Sequence, residues 1–492
     1  MDKNNLLKDL AAIVAGGVFP FSLAPFDIWL IALITPATLF AATRGGSVRR
    51  TLIRFYLFNF SMFLVGVSWI FVSINVYGGA SWLLAGFLVF AFVAAWSLVC
   101  LPQALIYANW FRDSDVSALL AFSGLWVLQE WFRGWLLTGF PWLFLGYGVM
   151  DTPLAGFAPV VGVFGVSLSA CLVSVTVWQA LSTGRSAVAA IPLVLVLVGT
   201  VLQQVSFTQP EREISVSLVQ GNVDQHVKWL AANRVPILNR YLEASESEWG
   251  RDLVVWPEAA ITMFHDQAET VLNRIDETAK ARDTTLVTGI PGRDAAGRFQ
   301  NTVIALGAGD GQYIKRRLVP FGEYVPLESQ LRGIVRFFDL PMSRNVPGPS
   351  RQKPLSAGDM RLSTSVCYEV VYPDLVRETV DSPDLLVTVS NDTWFGTSIG
   401  PWQHLQMARM RALENGRSMV RATNNGITAL IDHHGEIQAT LPRFELGVLR
   451  GEVEIRSGQT PFGRFGSYPV LLLGLGLVLV GWMLRWFPVR VE

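Results

Sequence analysis

Three side chains that could together perform covalent acyl chemistry follow short apolar stretches in the polar part of the chain. Glu258 ends the stretch DLVVWPE, Lys315 follows GQYI, and Cys367 follows LSTSV. The thiolate is the attacking form of cysteine, and the free thiol has a pKa of about 8.5. A carboxylate can take the thiol proton, and an ammonium can favour the thiolate and stabilise a tetrahedral oxyanion. These residue types indicate nucleophilic catalysis, provided that folding brings them together.

Each of the three residues also has a purely structural interpretation. A single cysteine after a strand is more often an inert small hydrophobe. A glutamate past a strand is usually a solvated loop residue or a cap, and Lys315, beside Arg316 and Arg317, could belong to a basic surface facing lipid headgroups. Separation along the sequence does not decide whether these side chains meet in space.

The elements that would position these residues read as an alternation of strands and helices. Alternating elements of this kind predict layered α/β architecture. The NNG sequence at 424–426 predicts a turn between two adjacent strands, 418–422 and 427–432. The helical pattern WQHLQMARMRALEN covers 402–415. The apolar, β-branched stretches that predict the other strands are 214–220, 253–256, 286–290, 362–366 and 385–390.

The composition of the whole chain points to a membrane protein. Hydrophobic residues make up 51% of the 492 residues, charged residues only 16%, and the mean hydropathy is +0.38. The formal net charge is +0, so no global field would attract nucleic acid, and no nucleic-acid partner is expected. The three cysteines form neither a disulfide framework nor a zinc-binding spacing.

Apolar stretches predict a membrane α-helical bundle of about eight transmembrane helices. Seven lie in a predicted domain 1–206, and the eighth lies in a C-terminal part, 464–492, that ends in a cytoplasmic tail. The polar domain between them is 207–463. The predicted spans are roughly 10–25, 27–43, 55–76, 81–107, 116–137, 159–182, 187–206 and 466–485.

Basic residues predict how the chain crosses the membrane. With eight spans, most of the lysines and arginines that flank the spans fall on one side, which is the cytoplasmic side by the positive-inside rule. Both termini are therefore expected in the cytoplasm and the domain 207–463 outside it. The residues concerned are Lys3, Lys8, Arg44, Arg49, Arg50, Arg54, Arg112, Arg185, Arg485 and Arg490.

Several motifs resemble a known superfamily. WPE at 256–258, the lysine before LVPFGEYVP, and CYE at 367–369 resemble the Glu-Lys-Cys set of the nitrilase superfamily, as does the tail 408–436. The pattern of spans around one outward domain resembles the membrane-embedded branch of that superfamily, the apolipoprotein N-acyltransferase family. Further matching stretches are QGNVDQHVKW at 220–229, VPFGEYVP at 319–326 and VSNDTWFGTSIGPWQH at 389–404. The resemblance implies an α-β-β-α sandwich for 207–463, next to the helical bundle.

The resemblance also implies a two-step reaction. A phospholipid would donate an acyl chain to Cys367, and the resulting thioester would acylate the free N-terminal amine of a diacylglyceryl-cysteine apolipoprotein. By this resemblance Glu258 is the general base and then the general acid, and Lys315 stabilises the oxyanion together with the N–H of Tyr368. Glu323 would hold and tune Lys315. Glu369 would be a further required acidic residue, or would only order the loop after the nucleophile.

The remaining expectations concern substrate contacts and location. Trp229 and Trp394 could line the path of the acyl chain, although aromatic residues near a membrane have an equally good role as interface anchors. His404, His433 and His434 lack a metal-binding spacing, so no metal and no cofactor is expected. The chain is expected to be a monomer, and the resemblance implies a location in the bacterial inner membrane with the catalytic domain facing the periplasm.

Two other functions are compatible with the same sequence features. A membrane-anchored amidase of the nitrilase type would hydrolyse a small amide with water as the second nucleophile. A lipoprotein-binding or transport protein would keep the α/β domain without its catalysis, although the intact reactive positions argue against this interpretation.

Overall fold

The computed structural model describes residues 3–184, 186–325, 344–379 and 381–486. Arg185 and Arg490, used above for orientation, and Pro326 of the PFGEYVP stretch lie outside these described residues. The chain forms two compact units. The first combines Met1–Phe71, Ser81–Ser206 and Arg464–Glu492, and the second combines Val72–Ala80 with Phe207–Gly463.

The first unit consists of helices whose outer faces are apolar. Leu83, Phe87 and Leu472 are 66%, 66% and 68% exposed, as expected for side chains that face lipid rather than water. The α-helices of this unit within the described residues are Lys3–Val18, Trp29–Thr43, Val48–Gly66, Trp69–Val72, Trp82–Val99, Leu101–Trp110, Asp115–Trp135, Ala158–Thr183, Ser186–Gln203 and Tyr468–Trp486.

Helices occupy most of each range predicted as a span, but fewer of them are long and apolar enough to cross a membrane by themselves. Among the described residues these segments are Trp82–Trp110, Pro153–Thr183 and Tyr468–Trp486. A fourth results if the pair Val48–Gly66 and Trp69–Tyr77, bent by 50°, counts as one span. The number of eight spans therefore stays a prediction.

Prolines explain part of this difference. The first helix begins at Lys3 and ends at Val18, because Phe19–Ser22 is a 3₁₀ turn that contains Pro20. The predicted span 10–25 was therefore placed too far along the chain. The span predicted at 55–76 is also not continuous, since the helix stops at Gly66 and the chain bends before it resumes at Trp69.

The second unit contains two sheets, which confirms the α/β layering predicted from the strand pattern. The strands are β1 Thr208–Gln220, β2 Leu253–Val255, β3 Thr285–Arg293, β4 Phe299–Gly307, β5 Gly309–Asp310, β6 Gln312–Ile314, β7 Leu355–Ala357, β8 Met360–Val366, β9 Leu385–Ser390, β10 Met419–Thr423, β11 Ala429–Ile431, β12 Ile437–Thr440 and β13 Gly447–Gly458. Within the described residues the sheet orders are β13-β1-β2-β3-β4-β6 and β12-β11-β10-β9-β8-β7-β5.

The two sheets share a buried apolar core between them. Val216, Val255 and Val287 of the first sheet belong to the same core cluster as Val387 and Val420 of the second sheet. A further cluster joins the other face of the first sheet to its covering helices, and helices also contact the second sheet. The α-helices of this unit are Gln225–Lys228, Arg234–Ser245, Glu269–Lys280, Pro373–Thr379, Gly400–Asn415 and Pro461–Phe465. The layers are therefore those of an α-β-β-α sandwich.

Parallel strand pairs place the reactive positions at strand ends. β1, β2 and β3 run parallel in the first sheet, and β8, β9 and β10 run parallel in the second. Carboxyl ends of parallel strands are where open α/β sheets form their sites. Glu258 follows β2, and Cys367 follows β8 directly. β10 and β11 pair in antiparallel register around the NNG turn, as predicted.

Residues 72–80 belong to the second unit although they lie between helices of the first. The Ser73 hydroxyl donates a hydrogen bond to the carbonyl oxygen of Trp394 at 2.8 Å, and the Tyr77 ring contacts the Trp394 ring edge-on at 6.0 Å. The grouping of residues 72–80 with the second unit differs from the predicted domain 1–206.

Candidate active site

The turn that carries Glu258 depends on a close approach between two backbones. After β2, the N–H of Trp256 still donates to the carbonyl of Val287 on β3 at 2.8 Å, and Ala259 takes a left-handed φ of 48°. A Cβ on Gly289 of β3 would lie 2.4 Å from the Ala259 nitrogen and 2.8 Å from the Glu258 Cα. Only glycine at 289 lets the turn sit this close to the sheet.

Hydrogen bonds hold both oxygens of the buried Glu258 carboxylate. The Asn301 side chain donates to Oε1 at 2.7 Å, and the backbone N–H of Asn391 donates to Oε2 at 2.8 Å. The Lys315 ammonium lies 3.5 Å from the same Oε1. The carboxylate is therefore fixed in one orientation, as a general base requires.

Lys315 is buried between two carboxylates. Its side chain is 1% exposed, and Nζ lies 2.9 Å from Glu323 Oε1 and 3.5 Å from Glu258 Oε1. Burial alone would lower the pKa of Lys315, but Glu323, Glu258 and Cys367 outweigh it and raise the pKa above the ordinary value. Lys315 is therefore an ammonium at neutral pH, as an oxyanion-stabilising cation must be.

The Glu323 carboxylate has further partners besides Lys315. Its Oε2 accepts the backbone N–H of Val319 at 2.8 Å, and its Oε1 lies 3.2 Å from the Asn301 amide nitrogen. Asn301 thus donates to Glu258 and Glu323 together. This geometry fits the expectation that Glu323 holds Lys315 in place.

Cys367 adopts a strained backbone conformation at the end of β8. Its φ is 53°, in the left-handed region that a residue with a Cβ rarely occupies. It begins the 3₁₀ turn Cys367–Val371 and is half-buried. Strain of this kind is typical of functional sites, where surrounding structure maintains it.

The environment keeps the Cys367 thiol protonated at rest. Burial raises its pKa, and the Glu258 and Asp392 carboxylates raise it further, while Lys315 and a hydrogen bond with Ser390 act in the opposite direction. Lys315 lies 3.5 Å from Glu258, and the charges of both groups influence the pKa of the Cys367 thiol. Formation of the thiolate at neutral pH then requires proton transfer to a base, which Glu258 can supply.

Glu369 ties the nucleophile turn to the segment after Lys315. Its carboxylate is fully buried, and Oε2 accepts the backbone N–H of Val366 at 2.8 Å. Oε1 accepts the backbone N–H groups of Arg316 at 2.6 Å and Arg317 at 3.0 Å, and the hydroxyl of Tyr313 at 3.0 Å. Of the two roles expected for Glu369, these contacts fit the ordering of the loop.

The remaining predicted residues flank this cluster. Tyr368 is buried and its ring meets Tyr372 edge-on at 5.4 Å. Trp229 follows Lys228, whose ammonium donates to the Glu258 carbonyl at 3.2 Å, and Trp394 lies in the 3₁₀ turn Asp392–Phe395. Both tryptophans are half-buried. They therefore lie on segments next to the site.

Several residues that orient the proposed catalytic groups were not predicted from the sequence. Asn301 and the backbone of Asn391 orient Glu258, and Ser390 lowers the pKa of the Cys367 thiol. His404, considered only as a metal ligand, instead lies 3.1 Å from the Cys367 carbonyl oxygen through Nε2. The NDTWFG stretch and its downstream histidine were the available signal, since they are polar residues directly after a buried strand.

No metal centre is visible in the part of the chain that the structure describes. The described residues contain no group of three or more His, Cys, Asp or Glu side chains placed to hold an ion. His433 and His434 lie next to each other, with ring centroids 4.0 Å apart.

Two family assignments cover most of the chain. Residues 215–460 match the carbon–nitrogen hydrolase family, and residues 15–176 match the apolipoprotein N-acyltransferase N-terminal domain.

Curated proteins match nearly the full length. An apolipoprotein N-acyltransferase from Pseudomonas syringae pv. tomato is 44% identical over 488 residues, which cover 97% of this chain and 96% of that protein. The apolipoprotein N-acyltransferase of Vibrio vulnificus is 39% identical over 496 residues, which cover 98% of each. That of Azotobacter vinelandii is 44% identical over 493 residues, 97% of this chain and 94% of that protein.

Solved structures match about half of this chain. A Saccharomyces cerevisiae member of branch 10 of the nitrilase superfamily gives a TM-score of 0.38 at 18% identity, covering 50% of this chain and 91% of that one. An amidase from Nesterenkonia sp. gives 0.36 at 19% identity, covering 51% and 92%.

Proposed function

The chain belongs to the apolipoprotein N-acyltransferase family, and from this premise we propose how its own residues perform the reaction. The protein is an acyltransferase that N-acylates lipoproteins. We infer that the acyl donor is a phospholipid, that Cys367 carries the acyl group as a thioester, and that the acceptor is the free N-terminal amine of a diacylglyceryl-cysteine apolipoprotein. Glu258, Lys315 and Cys367 are the proposed catalytic residues.

In the first half-reaction, the Cys367 sulfur attacks the ester carbonyl of the phospholipid while Glu258 takes the thiol proton. The tetrahedral oxyanion is stabilised by the Lys315 ammonium and the N–H of Tyr368. The carbon–oxygen bond then breaks, and Glu258 returns the proton to the leaving oxygen. The products are an acyl-thioester on Cys367 and a lysophospholipid.

In the second half-reaction, the amine of the apolipoprotein attacks the thioester carbonyl. Glu258 takes a proton from the amine, the carbon–sulfur bond breaks, and the sulfur recovers a proton. A thioester suits an amine acceptor because a thiolate leaves more easily than an alkoxide. The product is an amide, and the two separate steps predict ping-pong kinetics.

The observation that best supports these roles is the position of Lys315. Its ammonium lies 3.5 Å from Glu258 and 2.9 Å from Glu323, and its charge lowers the pKa of the Cys367 thiol, against the effect of Glu258. The same ammonium therefore pairs with the carboxylates of Glu258 and Glu323 and favours the thiolate form of Cys367.

We further propose that the membrane-spanning helices serve two substrates with lipid tails. Pulling acyl chains into water costs about 0.8 kcal/mol for each exposed CH₂ group, so a site at the membrane surface avoids a large penalty. In this proposal the chain is a monomer in the bacterial inner membrane with domains 1–206, 207–463 and 464–492. Eight spans place both termini in the cytoplasm and the catalytic domain in the periplasm.

The amidase alternative uses the same residues with water as the second nucleophile. Purified protein is incubated with phospholipid labelled in its acyl chain, and the release of label is followed with and without a lipid-linked N-terminal amine. Transfer predicts a protein-bound label that the amine discharges as amide. Rapid release as free fatty acid in the absence of amine would contradict it and favour hydrolysis.

Replacement of the nucleophile tests the same proposal from the protein side. Cys367→Ala and Cys367→Ser are expected to lose both labelled protein and amide product. Cys100→Ala, at a buried cysteine of the helical unit, is the matched control and should keep both. Full transfer by Cys367→Ala would end the proposal.

A further inference from the structure

A buried polar network lies beneath the nucleophile turn and is used by none of the proposed catalytic steps. It joins the helix Gly400–Asn415, the turn after β9 and strand β10. Its members are His404, Asp392 and Arg421, each no more than 1% exposed. Such groups are costly to bury unless they serve one another or a neighbouring site.

The contacts of the network lead to the backbone of Cys367. Arg421 Nη2 donates to Asp392 Oδ2 at 2.6 Å and lies 3.0 Å from His404 Nδ1. His404 Nδ1 also lies 3.1 Å from Asp392 Oδ1. On the other side of the ring, His404 Nε2 lies 3.1 Å from the carbonyl oxygen of Cys367.

These partners define the tautomer of His404. A carbonyl oxygen only accepts, so Nε2 must carry the proton. Burial and the Arg421 guanidinium lower the pKa of His404, despite the opposing effect of Asp392. The imidazole is therefore neutral and carries one proton. At Nδ1 two neighbours have opposite requirements, because Arg421 donates to an unprotonated nitrogen and Asp392 Oδ1 accepts from a protonated one. Asp392 already accepts the Ser390 hydroxyl at Oδ1 and Arg421 at Oδ2, both at 2.6 Å, so we assign the proton to Nε2.

The geometry of the peptide bond connects this hydrogen bond to catalysis. In a trans peptide the C=O and the following N–H lie in one plane and point in opposite directions. A donor that holds the Cys367 carbonyl therefore fixes the direction of the Tyr368 N–H. Oxyanion donors must be aimed before the charge develops, since their effect depends on preorganisation.

We propose that His404, held by Arg421 and Asp392, is a positioning residue. By donating a hydrogen bond to the Cys367 carbonyl, it orients the Tyr368 N–H toward the oxyanion. This inference rests on the proposed roles of Cys367 and Tyr368. It adds a histidine that touches neither substrate nor reacting atoms but determines how well the nucleophile turn stabilises the transition state.

Two substitutions of His404 test the contacts of its two ring nitrogens separately. In H404Q the glutamine amide nitrogen takes the place of Nε2, so the donor to Cys367 is kept. In H404N the amide reaches only the place of Nδ1, so the contact toward Arg421 is kept and the donor to Cys367 is lost. Acyl transfer is measured for both, beside the rate at which iodoacetamide alkylates Cys367, a reaction that forms no oxyanion.

We expect H404N to lower kcat by about 100- to 1,000-fold, the loss typical of one oxyanion donor, with KM and the alkylation rate nearly unchanged. H404Q should stay within about tenfold of the native rate, since the donor is preserved. Equal kcat losses in the two variants, a native rate in H404N, or a parallel fall in alkylation would overturn the inference.

The tautomer of His404 can be measured in the native protein, so this second test does not require H404N to fold. In ¹⁵N-histidine spectra, the signal of His404 is identified by its disappearance in H404Q. Protonated Nε2 with unprotonated Nδ1 is expected, and the opposite tautomer would overturn the inference. Failure of the proposed function is distinguishable, because Cys367→Ala would then retain acyl transfer.

Discussion

The carboxylate of Glu369 accepts the backbone N–H of Arg316 at 2.6 Å. Glu369 lies two residues after the proposed nucleophile, and Arg316 lies one residue after the proposed oxyanion cation. The same carboxylate binds Val366 just before Cys367. Two strand ends that are far apart in sequence are thereby joined at a fully buried group, so the distance between sulfur and ammonium depends on a residue that performs no chemistry.

Glu369→Gln should therefore impair both stability and activity. An amide replaces one acceptor oxygen by a donor, which faces N–H groups that it cannot satisfy, at a cost of about 1–3 kcal/mol. We expect a lower melting temperature and a lower kcat. Glu378→Gln, at a half-exposed carboxylate, is the control and should change neither. Native melting and native kcat in Glu369→Gln would contradict the joining role.

Replacing Asn301 should impair the orientation of the proposed base, Glu258, while the protein still folds. Asn301→Ala removes a 2.7 Å hydrogen bond to Glu258 and a 3.2 Å contact with Glu323. Loss of one orienting bond predicts a fall in kcat of about 10- to 100-fold. Asn345→Ala is the matched control, because the Asn345 side-chain nitrogen lies 3.5 Å from Glu323 Oε1 and its loss leaves the hydrogen bonds to Glu258 in place. The two variants are compared by steady-state transfer, and equal rates would refute the assignment.

Gly289→Ala should displace the turn that carries Glu258. The added Cβ would meet the Ala259 nitrogen at 2.4 Å, so the turn must move away from β3. We expect acyl transfer to fall at least about tenfold, since an ångström of misplacement is costly in catalysis. Gly86→Ala, where the added Cβ meets nothing within 4 Å, is the control. Equal transfer rates in both alanine variants would show that the close approach is not required.

The pH dependence of thiol alkylation tests the electrostatics of the site. Burial and the Glu258 carboxylate raise the pKa of Cys367, while Lys315 lowers it. Removing the carboxylate in Glu258→Gln must therefore lower that pKa, and removing the cation in Lys315→Met must raise it. At one mildly alkaline pH, iodoacetamide should react faster with Glu258→Gln and slower with Lys315→Met than with the native chain.

Both variants should nevertheless lose acyl transfer, because one lacks the base and the other lacks the oxyanion cation. The two variants therefore distinguish the reactivity of the thiol, measured by alkylation, from catalytic turnover, measured by acyl transfer. A shift of alkylation in the same direction for both variants would contradict the arrangement of charges around the sulfur.

The sequence was informative where a strand ends in a reactive side chain. The stretches DLVVWPE and LSTSV predicted strands, and the structure has β2 at Leu253–Val255 and β8 at Met360–Val366. A lone asparagine within a strand gives no comparable signal, so Asn301 could not be singled out. The positive φ of Cys367 is likewise invisible in sequence, because it is imposed by tertiary contacts rather than by the residue's own preference.

The helical unit shows a different limit. Apolar composition predicted where helices lie but not how long each remains continuous, because Pro20 and the bend after Gly66 interrupt them. The grouping of 72–80 with the second unit arises from contacts such as Ser73 with Trp394. Contacts between residues so distant in sequence leave no periodicity that could be read.

The central claim is that Cys367 carries the acyl group between the two substrates. The purified full chain is incubated with a diacyl phospholipid of defined chain length, without acceptor, and quenched in acid. Peptide mass spectrometry should find the mass of that acyl chain on the Cys367 peptide, not on the Cys100 or Cys171 peptides, and a lipid-linked N-terminal amine should remove it. An unmodified Cys367 in protein that still forms the amide product, or an acyl group at another residue, would contradict the account.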